Sequence, residues 1–296
     1  MCPIFRCRGL LFAFCFNSEN SLRGWSTMVK FRSVALLAGI SILSSACGAP
    51  ESESQDAQQL TFEEFRAGAY QEPESGGFVV DGDIFLPTES ELREFYEQSV
   101  SGIGTQRDAL AVYYSGGRDI KWSASQALNL TYCVSTKFGS NYTRVVNAMK
   151  SAAAEWEAAA NVKFVHVSAE DSKCTNRNNN VVFDVNQTNT SQYLARAFFP
   201  NSARRSANVL ISTTSFQNIS PWTLEGVIRH ELGHVLGFRH EHTRLTSTGC
   251  YEDNAWRALT PYDASSVMHY PQCSGTQTGD LVLTSSDRSG ARALYP

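Results

Sequence analysis

The run His230-Glu231-Leu232-Gly233-His234-Val235-Leu236-Gly237-Phe238-Arg239-His240 constrains this chain more than any other stretch. Histidines four apart project from one face of a helix, so His230 and His234 can grip one metal ion between their imidazoles. Glu231, beside the first of them, puts a carboxylate within reach of a metal-held water without having to bind the metal itself. Gly237 lets the chain leave the helix in a conformation that a Cβ would resist, and that turn can bring His240 back as a third nitrogen ligand. Three ligands on a four-coordinate zinc leave one place for water, as a catalytic site needs. Four of the six histidines fall within 230–242, and packing alone does not cluster histidines in this way.

The pattern HExxHxxGxxH resembles the zinc site of the metzincin endopeptidases. Those enzymes carry a methionine turn beneath the metal, and Ser266-Val267-Met268-His269-Tyr270 is similar to it. With Glu241 directly after the third histidine, this string is most similar to the astacin branch, where the tyrosine two places after the methionine ligates zinc and then stabilises the transition state. The resemblance gives that role to Tyr270 and makes Met268 a hydrophobic floor. Leu194-Ala195-Arg196-Ala197-Phe198-Phe199-Pro200 resembles the sheet-edge strand that binds substrate, and Leu283 through Pro296 resembles the closing helix of matrixins. HELGH followed by GFRHEH is also similar to bacterial secreted HEIGH metallopeptidases. The resemblance covers roughly 115–296, and it departs from astacins at Glu241-His242-Thr243-Arg244-Leu245, which lacks their downstream Asp-Arg. It implies an α+β fold of metzincin type: a mixed twisted sheet, an active-site helix and a loop-rich C-terminal subdomain.

Before this region, Lys30 and Arg32, the apolar run Val34–Leu43 and the small residues Ser44-Ser45-Ala46 make an export signal too short for a confident membrane span. Cys47 at its end resembles the lipidated first residue of a bacterial lipoprotein, although Ser44 holds a place usually taken by Leu. Simple secretion is the alternative. Met28 begins a signal of ordinary length, so 1–27 reads as an upstream extension. Cys133, Cys174, Cys250 and Cys273 then remain, with three pairings open. Cys133–Cys174 and Cys250–Cys273 are favoured because each pair lies on one side of the active-site helix; zinc binding by these cysteines lacks any CxxC spacing. Five Asn-x-Ser/Thr sequons would matter only in a eukaryotic secretory pathway.

Residues 48–75 are poor in residues to bury and read as a flexible tether. Residues 76–115 read as a pro-segment, 116–296 as the catalytic domain. Val80-Asp81-Gly82-Asp83-Ile84-Phe85 resembles the aspartate switch of astacin pro-segments, which makes Asp83 the expected latency ligand; an Asp-Gly turn between two strands is the simpler alternative. Strands are expected at 127–134, 162–167, 181–185, 193–199 and 208–212, a helix at 141–160 whose Met149 and Trp156 stripe is core, the active-site helix from Ser220-Pro221 to about Leu236, and a final helix near 286–294. His166 and His269 read as structural, His242 and Glu241 as residues supporting the site rather than binding the metal.

The expected activity is zinc-dependent hydrolysis of protein or peptide substrates, with Glu231 as general base. A zinc-stabilised adhesion lipoprotein without turnover is the alternative, and a zinc hydrolase acting on non-protein substrates a third. The net charge of −4 with no basic block argues against nucleic acid. Membrane contact is expected only through the lipid anchor, and the chain is expected to be a monomer.

Overall fold

A computed structural model describes residues 60–99, 109–244, 255–273 and 275–296. The leader, Cys47 and Cys250 lie outside the described residues.

Thr61 accepts from Glu64 N while the Glu64 side chain accepts from Thr61 N, and this capping box starts α1 (Phe62–Gly68). Composition predicts a tether through residue 75, yet the chain is structured from 62 onward. The reason is two phenylalanines at helical spacing: Phe62 and Phe65 are buried against Phe95 and Tyr96. The strands β1 (Tyr70–Gln71), β2 (Phe78–Val80) and β3 (Ile84–Leu86) form an antiparallel sheet in chain order. The helix α2 (Glu89–Ser99), which carries Phe95 and Tyr96, follows. Between β2 and β3, Asp81-Gly82-Asp83 makes the turn, with Asp81 at φ +48° and Gly82 at φ +91°.

The strand β4 (Ala109–Ser115) pairs antiparallel with β5 (Arg118–Asp119), and a one-turn helix α3 (Ala124–Ala127) follows, capped by Ser123. That cap takes residues expected in a strand, so β6 begins later (Leu130–Val134). The helix α4 (Tyr142–Ala159) leads to β7 (Phe164–His166), β8 (Phe183–Thr188), β9 (Ala195–Arg196) and β10 (Asn208–Ser212). The sheet order is β7-β6-β8-β10-β9, parallel except for the antiparallel edge strand β9, which registers Arg196 opposite Leu210. The expected strand 193–199 is therefore only two residues long as a ladder, but it is the sheet edge.

Helix α5 (Leu224–Val235) packs against α4. It starts later than Ser220-Pro221: Thr223 takes the cap and accepts from Gly226 N at 3.0 Å, while the Ser220–Pro221 bond is cis and belongs to the preceding turn. Met149, Ala152 and Trp156 of α4 and Ile228 and Leu232 of α5 share one core, and Trp156 Nε1 donates to Arg229 O at 2.9 Å. The strand β11 (Trp256–Thr260) pairs with β4, and α6 (Ser285–Leu294) closes the chain behind a Thr284/Asp287 capping box. Among the described residues no helix is long and apolar enough to cross a membrane.

Cys133 and Cys174 are bridged, Cα–Cα 5.6 Å. Cys273 is also disulfide-bonded. A loop of 41 residues closed by Cys133–Cys174 corresponds to about 3–4 kcal/mol in the chain-entropy model. The double substitution Cys133→Ser/Cys174→Ser is expected to lower the unfolding free energy by that amount and to raise the urea slope, because the uncrosslinked unfolded chain exposes more surface; equilibrium unfolding measures both.

Candidate metal centre and its cleft

Helix periodicity puts His230 and His234 side by side on α5, and the turn after it returns His240. Gly237 sits at φ +99°, where a Cβ would lie 2.2 Å from Ile120 O. Gly237→Ala is thus expected to strain this turn by about 1–3 kcal/mol and to move His240. A lowered melting temperature and a weaker zinc titration would report it.

The three imidazoles are oriented from behind. His230 Nδ1 donates to Val267 O at 2.7 Å and His234 Nδ1 to Phe238 O at 2.8 Å, while His240 Nδ1 meets Asp81 Oδ2 at 2.6 Å. Protons held at Nδ1 leave the Nε2 lone pairs facing inward. His240 Nε2 lies 3.1 Å from the Nε2 atoms of both His230 and His234. Asp83 closes the group: Oδ2 is 3.2 Å from His230 Nε2, and Oδ1 is 3.4 Å and 3.1 Å from those of His234 and His240.

Acceptors crowded in this way repel unless a cation sits among them. A tetrahedral zinc with nitrogens at about 2.0–2.1 Å would space them about 3.3 Å apart, close to the distances here. Asp83 Oδ1 is buried and, despite those short approaches, has no hydrogen-bond partner. Burial lowers His234 to about 4, which keeps it the neutral donor a metal requires. Burial also works to lower His240, but Asp83 and Asp81 outweigh it and raise this imidazole to about 9. Two buried carboxylates thus call for a positive charge at this point. The residues fit zinc.

Glu231 is buried beside this group, and its Oε2 has no hydrogen-bond partner among the described residues. Burial, then the Asp83 carboxylate, push its carboxyl well above the usual range. Tyr270 donates its hydroxyl to Asp83 Oδ2 at 2.5 Å. Met268 is fully buried under α5: a Cβ on Gly233 would fall 2.3 Å from its sulfur. The turn bearing Met268 is tied to α6 by Asp287, which accepts from Ser266 Oγ, Val267 N and Thr284 N at 2.5–2.9 Å.

A family model described as "dual-action HEIGH metallo-peptidase" matches residues 113–295. The chain belongs to this family. Curated relatives match over short stretches. An astacin-like metalloendopeptidase of Coturnix japonica is 39% identical over 77 residues, 20% of this chain and 19% of that protein. High choriolytic enzyme 2 of Oryzias latipes is 39% identical over 62 residues, 15% and 22% of the two chains. This metallo-peptidase therefore spans about a fifth of the length of those relatives. Among solved structures, myroilysin is 18% identical at TM-score 0.44, covering 63% of this chain and 98% of that one. High choriolytic enzyme 1, a hatching enzyme zinc-protease of Oryzias latipes, is 20% identical at TM-score 0.40, covering 60% and 94%.

The edge expected at Leu194, Ala195, Arg196, Ala197 and Phe198 runs beside the centre of this metallo-peptidase, and the 60–99 region covers it: Ile84 bridges Ala197 in parallel orientation. A cavity of about 530 Å³ opens beside Glu231 and Tyr270, walled by Leu194, Ile219, Trp222, Val227 and Leu281. His242 is buried and meets Asp81 Oδ1 at 3.3 Å; Glu241 Oε1 accepts from Asp263 N; His269 pairs with Tyr262. His166 stacks on Tyr132 and pairs with Asp171. Sequence reasoning missed Asp81 and Asp287. Asp81 carried a weak signal, since it shares a three-residue turn with Asp83. Asp287 carried one only as a helix cap.

Proposed function

We propose that the chain is a zinc endopeptidase cutting protein or peptide substrates, held latent by its own 60–99 region and exported, with Cys47 as a lipid anchor to the bacterial envelope or else in secreted form; the pro-segment expected at 76–115 ends before β4, which pairs with β11 in the catalytic domain. His230, His234 and His240 would hold the ion, and Asp83 takes the remaining place in the latent chain. When bound, zinc supplies a Lewis acid that acidifies water and polarises a carbonyl oxygen. Glu231 takes the proton from the attacking water and delivers it to the leaving amine. Tyr270, released from Asp83, donates a hydrogen bond to the developing oxyanion. Met268 floors the histidines. The peptide lies extended and antiparallel along Leu194–Phe198 once β3 has left, with one apolar side chain in the cavity beside Glu231. The protein acts as a monomer without nucleic acid.

The observation that carries this reading is the convergence of three Nε2 atoms beside a buried carboxylate with an unbonded oxygen. After limited proteolysis ahead of β4, which must stay because it pairs with β11 and holds the turn before His240, the enzyme is expected to make internal cuts in an unbiased peptide library. A chelator should abolish them and added zinc restore them, as sequencing of the products would show. Zinc bound one per chain with no cuts after that removal would favour the adhesion protein.

A further inference from the structure

Arg196 sits on the edge strand β9, 1% exposed, with its guanidinium enclosed by the 60–99 region. Its Nε donates to Glu72 Oε1 at 2.7 Å and its Nη2 to Glu72 Oε2 at 2.9 Å, a two-pronged pair. The guanidinium carbon lies 3.7 Å from the centre of the Phe85 ring. Glu72 is held in turn by Tyr193 and Ser75. Both Glu72 and Phe85 come from the region whose Asp83 occupies the metal centre, so whatever frees the centre and the β9 edge also uncovers Arg196.

Outside that region the guanidinium donates through Nη1 to Asn208 Oδ1 at 2.6 Å and lies beside the Tyr193 hydroxyl, both neutral groups. The nearby carboxylate of Asp184 is already engaged by Arg204 and Asn186, each at 2.7 Å. The carboxylates of Asp184 and Glu231 are close enough to feel this cation, but among the described residues only Glu72 bonds the fork formed by Nε and Nη2. An arginine fork matches a carboxylate in plane and spacing, and a fork beside a strand edge that has lost its two-pronged partner can take another.

We infer that Arg196 is a specificity-determining residue that binds an acidic side chain, Asp or Glu, of the substrate, in the place Glu72 holds in the latent chain. This deepens the endopeptidase reading and rests on it. In a peptide running antiparallel to β9, residues facing higher numbers on the strand come earlier in the peptide. The acidic residue therefore lies on the amino-terminal side of the one whose side chain fills the cavity walled by Leu194. Glu72 is then a substrate mimic built into the chain, and the Glu72–Arg196 pair a second anchor of latency besides Asp83.

The test uses the full chain carrying Glu72→Ala and Asp83→Ala, which removes both anchors. Short fluorescent peptides identical except for one Glu, Gln or Lys are titrated in by anisotropy, and their cleavage is followed in parallel. The Glu peptide is expected to bind about tenfold or more tighter than the Gln peptide, with Lys weakest. Adding Arg196→Gln should erase the difference, and Arg196→Lys, which keeps the charge but not the fork, should keep part of it. Melting curves identify any variant that fails to fold, in which case the other decides. Equal affinity for the Glu and Gln peptides, including no binding of either, overturns the inference, as does a preference undiminished in the folded Arg196 variants. Acidic preference in binding without any cleavage keeps the role of Arg196 and sinks the endopeptidase reading. Cleavage without that preference does the reverse.

Discussion

Glu231→Gln in the activated enzyme is expected to cut peptide hydrolysis by about 10²–10⁴-fold while the zinc content stays unchanged. The atoms that converge on the metal centre come from Asp83, His230, His234 and His240, and Glu231 is not among them. Its carboxylate is buried, with one oxygen free of hydrogen bonds, at the mouth of the apolar cavity. Those are the conditions for a group that takes and returns a proton, since burial raises the carboxyl and its Oε2 has no competing hydrogen bond among the described residues. Glutamine has nearly the same shape and no charge to bury, so the fold should lose no stability. Metal analysis, a melting curve and a peptide assay on one sample separate these effects. A variant with normal turnover would remove Glu231 from the mechanism. One that lost its zinc would mean that the carboxylate shapes the site instead.

Asp83→Ala is expected to switch the full chain on without any cut. A latch that holds 99 of 100 molecules shut hides about a hundredfold of activity, so the increase should be of that order or larger. Asp83 is 5% exposed, approaches all three Nε2 atoms within 3.4 Å, and holds the Tyr270 hydroxyl. One substitution thus frees the fourth position and the oxyanion donor together. The hairpin tip reaches so far because Gly82 has no side chain: a Cβ there would lie 2.8 Å from the Tyr270 hydroxyl. Asp81, which engages His240 and His242, and Glu72, which holds Arg196, remain in the variant and are expected to slow the release of the hairpin without closing the metal position.

The parts of this site that were legible in the sequence are those set by local periodicity. Two histidines four apart on an apolar-striped helix have one geometric solution, and Gly237 marks where that helix must end. Strand β10 falls at 208–212 as its pattern predicts, and α6 begins one residue before its expected start at 286. The parts that were not legible depend on pairings distant in the chain. Asp81 meets His240 across 159 residues and Glu72 meets Arg196 across 124, and neither carboxylate differs locally from a solvated one. The helix at 62–68 was hidden by its polar surroundings, because only two phenylalanines carry its packing. Strands β4 and β11 were missed for a related reason: each is completed by the other, from opposite ends of the catalytic region.

The central claim is a zinc peptidase shut by Asp83 and driven by Glu231. The most direct measurement is hydrolysis of one quenched fluorescent peptide by the full chain, by its Asp83→Ala variant and by Asp83→Ala/Glu231→Gln, all at equal zinc content. The account predicts a slow wild type, a fast and chelator-sensitive single variant, and a silent double variant. Equal rates for all three, or a single variant that binds zinc and cuts nothing, would contradict it.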